Sequence, residues 1–155
     1  MPDYNQRRGQ HQHQRRQEPQ AWNSPFDKKW IKEGFKRDCI KYMEEFGQYL
    51  SEGRNALTTS QIRNFYGEVK RLEMKLSGSE SEVWQSVMQD FLLLKPKLAY
   101  NAARAAKTTK NTKLIDFKKV IFEAHDSVDN KKEYLAFSQL IEGIIAFHKS
   151  FGGRD

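Results

Sequence analysis

The chain has 155 residues, with 27 Lys+Arg against 20 Asp+Glu, one Cys and a 37% apolar fraction. That length suits one domain with room for a polar tail. The net charge of +7 and a pI near 9.5 point to an anionic partner, nucleic acid before acidic membrane. No apolar run approaches the roughly 18 residues of a membrane span, and the start Met1-Pro2-Asp3-Tyr4 has no secretory pattern. One thiol makes neither an intrachain disulfide nor a Cys-rich zinc site, so a reducing cytoplasm is the simplest compartment.

Residues 1–28 stand apart. Gln6 to Gln17 holds no apolar residue, so it cannot offset the entropy of ordering and reads as a disordered polar and basic tail. Ordered chain is expected from near Phe26 or Trp30, giving one domain over 29–155. There Ile31, Phe35, Cys39, Tyr42, Phe46 and Tyr49 recur at spacings of three and four. This predicts one helix, ending near Glu52-Gly53. Thr58-Thr59-Ser60-Gln61 is a capping box that opens a second, with Ile62, Phe65, Val69, Leu72 and Leu76 on its buried face and a stop at Ser77-Gly78. Ser79-Glu80-Ser81-Glu82 is a second box. It opens a third helix whose core face is Val83, Trp84, Val87, Met88, Phe91 and Leu92. Pro96 lacks a backbone N–H and should end or kink that helix near Leu94. A short Ala-rich segment follows to about Ala106, then a polar loop over 107–112. Leu114, Phe117, Ile121, Ala124 and Val128 mark the next helix. Asp129 or Asn130 caps the last, which carries Tyr134, Phe137, Ile141, Ile144, Ile145 and Phe147 and closes at Gly152-Gly153. No strand pattern or repeat is visible. The fold class is all-α, a compact bundle of about five helices.

Catalysis needs a nucleophile with a base, a metal site or a cofactor cradle, and none has usable spacing. His11 and His13 lie in the tail. His125 and His148 sit beside core positions on different helices and read as packing or capping residues. Cys39 falls on an apolar stripe and acts as a small hydrophobe. No cofactor and no metal are expected, and the chain reads as a non-enzyme.

Positive charge, in contrast, is segregated. Lys95, Lys97, Arg104, Lys107, Lys110, Lys113, Lys118 and Lys119 face only Asp116 within 95–119, leaving that window at +7. Arg63 and Lys70 share a stripe of the second helix, with Gly67 between them. Gly67 costs roughly 1 kcal/mol against Ala in a helix, and reads either as close approach by an outside backbone or as tight helix packing. Such cations bind phosphate without reading bases. Phe65 reads as core, while Tyr66 and Tyr100 are candidate stacking contacts.

Three stretches carry a resemblance. Leu57 to Tyr66 (LTTSQIRNFY), Leu94 to Tyr100 (LKPKLAY) with Arg104, and Glu142 to Lys149 (EGIIAFHK) closing on Gly152-Gly153 resemble, in order, motifs of the small subunit of type III-A CRISPR effector (Csm) complexes. The resemblance implies a non-catalytic helical subunit. Its copies would stack along a ribonucleoprotein, beside the backbone subunits that hold the CRISPR RNA and touching the large polymerase-like subunit at one end. It would support the pairing of guide with target RNA through sequence-independent phosphate contacts, because the guide supplies specificity. Arg63 and Arg104 match motif positions, and Lys97 and Tyr100 fall within a motif. Lys70, Lys107, Lys110 and Lys113 are candidates from charge alone. The tail does not map onto the family, Gly143 stands where alanine is expected, and Phe147 where tyrosine is. The competing function is a helical protein–protein adaptor with no direct RNA contact. A third is an enzyme using His125 or His148.

Overall fold

A computed structural model describes residues 21–77, 83–109 and 112–154. It holds six helices: α1 (Lys29–Lys32), α2 (Arg37–Ser51), α3 (Thr59–Ser77), α4 (Val83–Thr109), α5 (Thr112–Asp126) and α6 (Lys131–Ser150), with no strand among the described residues. The expected polar tail lies outside the described residues as far as residue 20.

The first expected helix is two. Gly34 takes a φ of 102°, a left-handed conformation that glycine adopts without steric cost. It stops α1 after one turn, and the chain restarts at Arg37. A hydrogen bond from Trp30 Nε1 to Asp38 Oδ2 (3.1 Å) ties the two pieces. The packed chain also reaches further back than Phe26. Trp22 lies 4.8 Å from the Phe46 ring and 5.3 Å from that of Tyr49, and donates to the Tyr42 hydroxyl at 3.1 Å. Residues 22–30 thus form a strap across the aromatic side of α2.

α3 begins as its capping box requires. The Thr58 N–H donates to Gln61 Oε1 (2.9 Å) and the Gln61 N–H to Thr58 Oγ1 (3.3 Å), so two orphan donors are satisfied reciprocally. It ends at Ser77; Gly78 and the second box, Ser79 to Glu82, lie outside the described residues.

The expected break at Pro96 is absent, and α4 runs unbroken for 27 residues. The hydrogen bond that Pro96 forgoes would run to the carbonyl of Leu92, four residues back. Both residues are exposed, so the missing bond falls on the solvent side, where water substitutes for it. α4 buries Val87, Phe91, Leu94, Leu98 and Ala102. Met88 and Leu92, read as core, face outward: the buried stripe continues through Leu94 and Leu98 and leaves them beside it. The polar loop expected at 107–112 shrinks, because α4 continues to Thr109 and α5 begins at Thr112.

α6 is the central element and packs against α1, α2, α3 and α5. Asn130 caps it, accepting from the Glu133 N–H at 2.9 Å. Its closest approach is to α2. A Cβ at Gly47 would sit 2.6 Å from Phe147 Cβ and 2.9 Å from the Ile144 carbonyl, and one at Gly143 would meet Met43 Sδ at 2.5 Å. Gly143 is therefore a packing glycine that admits the Met43 thioether. Phe46, Phe117, Tyr134 and Phe137 fill the centre with no exposed surface, and the Tyr134 hydroxyl donates to the Val69 carbonyl (2.6 Å), pinning α6 to α3.

Candidate nucleic-acid interface

α3 buries Ile62, Phe65, Val69, Leu72 and Leu76, and this inward stripe fixes what points out: Arg63, Asn64, Gly67, Arg71 and Met74. The helix lies between α4 and α6, and an open cleft runs along each side of its outward ridge. The α4-side cleft holds about 450 Å³. Its walls are Phe65 on α3 and Leu93, Leu94, Pro96 and Tyr100 on α4, with Asn64, Glu68, Lys97 and Asn101 supplying polar groups. The α6-side cleft is smaller, about 170 Å³, and combines Ile62, Tyr66 and Ile145 with Thr59, Arg63 and Lys149. Gly67 is exposed on the ridge between them, with nothing within 4 Å of where a Cβ would stand. Tight packing inside the monomer therefore does not account for this glycine.

The eight residues proposed from sequence separate by environment. Arg63, Tyr100, Arg104 and Lys107 are exposed and make no hydrogen bond or ion pair with any described residue. Lys97, Tyr100, Arg104 and Lys107 follow one another at spacings of three, four and three, so they form a single stripe along α4. Lys97 lies 3.6 Å from the Glu68 carboxylate. Lys70 is more firmly held. Its ammonium contacts Glu142 at 2.9 Å and Glu73 at 3.0 Å, and the Glu142 carboxylate leads in raising its pKa above the usual lysine range. Lys113 is buried. Its ammonium donates to the carbonyls of Tyr49 and Glu52 at the end of α2 and lies 4.4 Å from the Tyr49 ring centroid, and burial lowers its pKa. It caps a helix C-terminus, whose dipole favours a cation. Lys110 lies outside the described residues.

The +7 window thus does not survive folding as one patch. Lys95 meets Asp126 at 2.6 Å, Lys97 meets Glu68 and Lys113 is buried. Acids distant in sequence arrive as partners; of the window's described cations, Arg104 and Lys107 on the α4 stripe and Lys119 on α5 stay exposed and unpaired. Reading the sequence missed Leu93, Asn64 and Asn101. Leu93 was hidden in the run Leu92-Leu93-Leu94, and no periodicity marks an amide at a cleft rim.

The histidines that would serve an enzyme are both interior. His125 stacks on Phe91 with ring centroids 4.0 Å apart, and its Nε2 lies 2.8 Å from the Phe91 carbonyl. His148 Nε2 bonds the Leu57 carbonyl. Among the described residues no three His, Cys, Asp or Glu side chains gather into a metal-holding group. Nor is any helix long and apolar enough to cross a membrane.

The three quoted motifs converge on this face. The first opens α3, the second spans the middle of α4 and the third ends α6, and together they supply every residue of the two clefts except Glu68, Leu93 and Asn101. A family model for Csm2 Type III-A matches residues 35–154. The chain belongs to the Csm2 type III-A family. Membership makes it the small subunit of the type III-A Csm complex, in a family whose members are generally structural and non-catalytic. No curated protein matches the chain. The Csm2 match covers α2 to α6 and both clefts. It leaves α1 and the Trp22 strap outside.

Proposed function

We propose that this Csm2-family subunit lies along the guide–target RNA in the type III-A complex and holds the ribose–phosphate backbone without reading sequence. One observation carries this reading: on the face where the three motifs meet, Arg63, Arg104 and Lys107 are exposed and have no partner among the described residues. Arg63 marks the α3 ridge; Arg104 and Lys107 continue the α4 stripe beyond Tyr100. Paired cations gain little from a phosphate, because an existing ion pair must break first. Unpaired ones release counterions from RNA at no such cost. Residues 29–155 act in this role as one helical unit, which also touches its own copies, the backbone subunits and the large subunit. Lys110 joins the contact set on charge alone, whereas Lys70 and Lys113 serve the fold.

The test is binding of the nucleic-acid-free protein to unrelated single-stranded and duplex RNAs across a salt series. Similar affinities for all sequences are expected, with log K falling linearly against log salt. Arg104→Ala should shrink the slope by about 0.7–0.9 while leaving the melting temperature unchanged. Lys113→Ala should do the reverse, costing about 1–3 kcal/mol of stability through two unsatisfied carbonyls at an unchanged slope. A protein that ignores RNA at low salt, yet still joins the complex after charge reversal at Arg63, Arg104 and Lys107, is an adaptor.

A further inference from the structure

The α4-side cleft is wider and more apolar than phosphate contact requires. Leu93 is 50% exposed and Tyr100 66% exposed, yet both line a cleft floored by the buried Phe65 and Leu94. Exposing that much apolar surface to water is unfavourable for the free protein, so the cleft gains when a flat apolar body covers it. Its volume, about 450 Å³, falls within the range of small-ligand sites, about 300–1,000 Å³. Two features say what the body is. The Asn64 and Asn101 amides stand at the rim with no hydrogen-bond partner among the described residues. Each offers donor and acceptor together, which suits the edge of any base. The flanking charge is positive: Arg104 is one turn beyond Tyr100 and Lys97 one turn before it, while the one acid, Glu68, is held by Arg71 at 2.9 Å and by Lys97 at 3.6 Å. A polar edge and a stacking surface bracketed by cations fit a nucleotide better than a hydrophobic protein side chain, which would leave both amides unanswered.

We infer that this cleft is a nucleobase slot: an unpaired base of bound RNA enters between α3 and α4, stacks on the Tyr100 ring and meets the rim amides, while its phosphate lies on the unpaired Arg104. The slot accepts any base, since every base has a π-face and an amide serves either kind of edge. It rests on the backbone-binding reading above and adds to it a preference for nucleotides not held in a duplex.

The test compares the full chain's affinity for a uridine oligonucleotide with that for an abasic ribose–phosphate oligomer of equal length, over one salt series. The intact strand should bind about 5- to 100-fold more tightly, with the two salt slopes equal. Tyr100→Ala should abolish the difference and Tyr100→Phe should keep it, because the ring and not the hydroxyl does the stacking. Leu93→Asp, two turns before Tyr100 on the same α4 wall, is a second variant outside the core and should also abolish it. Equal affinity of the wild type for intact and abasic strands, at a steep slope, overturns the slot and leaves the backbone reading standing. Absence of salt-dependent binding to either strand overturns both. If Tyr100→Ala releases the other Csm proteins on copurification while the intact-to-abasic ratio holds, the cleft belongs to a protein partner and the slot is refuted.

Discussion

Two glycines inside helices show how one residue type takes opposite meanings from its surroundings. Gly47 lies where α2 presses on α6. A Cβ there would meet Phe147 Cβ at 2.6 Å, the His148 nitrogen at 2.8 Å and the Ile144 carbonyl at 2.9 Å. Two of these three are backbone atoms that cannot swing away, so the helices must part. Gly67 lies on the α3 ridge with nothing within 4 Å. Gly67→Ala should therefore stabilise the free protein by roughly 0.5–1 kcal/mol, the ordinary helix-propensity gain. Gly47→Ala should destabilise it by about 1–3 kcal/mol through overpacking. Thermal melts of the two variants test the signs. Gly67 also carries a functional expectation. A ridge that forgoes this much stability with no internal neighbour is shaped for something outside the monomer. The same Gly67→Ala variant, though more stable, should bind RNA or enter the complex less well. A stabilised variant that assembles and binds normally would reduce Gly67 to an unselected surface residue.

Among the elements, α4 decides most. Its buried stripe was only half legible. Val87 and Phe91 follow the expected spacing, but Met88 and Leu92, which fit the same three- and four-residue spacing, face solvent. Composition cannot tell a proline on a helix's wet side from one on its dry side; the burial of Leu94 and Leu98 beside the exposed Pro96 does. Gly34 is the converse case. The stripe from Ile31 to Tyr49 is continuous in sequence, and only the left-handed φ shows that the chain turns there. Where a local hydrogen bond settles the matter, sequence was enough: the Thr58–Gln61 box and the Asn130 cap stand as read. The candidate face was legible as motifs and charge. Which cations were already answered depended on Glu68, Glu142 and Asp126, and their arrival is a tertiary event. The junction of α4 with α5 also makes a pH prediction. Burial, opposed by the Phe91 carbonyl and reinforced by Lys95, lowers the pKa of His125 below its ordinary 6.5. The unfolded chain then binds a proton more readily than the folded one in the window just below pH 6.5. Stability should be full above that value and fall as the pH drops through it toward the folded-state pKa. Melting temperatures taken from pH 7.5 down to 5.5 should decline, and His125→Gln should flatten part of the decline. An equal decline in both proteins would shift the effect to other groups.

Across the whole molecule, the family match and the packed structure do not coincide at their N-terminal ends. The match begins at residue 35, but the aromatic side of α2 is covered by residues that precede it. Trp22 contacts Tyr42, Phe46 and Tyr49, and Phe26 lies 5.3 Å from the Trp30 ring and is buried. Without the strap, α2 would present a run of aromatic rings to water, and such a face promotes self-association as readily as unfolding. Two truncations separate anchor from arm. Removing residues 1–20 takes away Arg7, Arg8, Arg15 and Arg16 but few apolar groups to bury, since Gln6 to Gln17 has none. The melting temperature should hold, and any loss of RNA affinity should appear as a shallower salt slope. Removing residues 1–28 takes Trp22 and Phe26 as well. Losing a buried aromatic costs about 3–5 kcal/mol in a fully packed site; Phe26 is buried and Trp22 half-buried, so the loss is at least of that size. The longer truncation should melt several degrees lower, and light scattering should show its apparent mass rising with concentration. If both truncations melt alike, the strap contributes no stability and the aromatic face of α2 is self-sufficient, as the family match from residue 35 onward would have it.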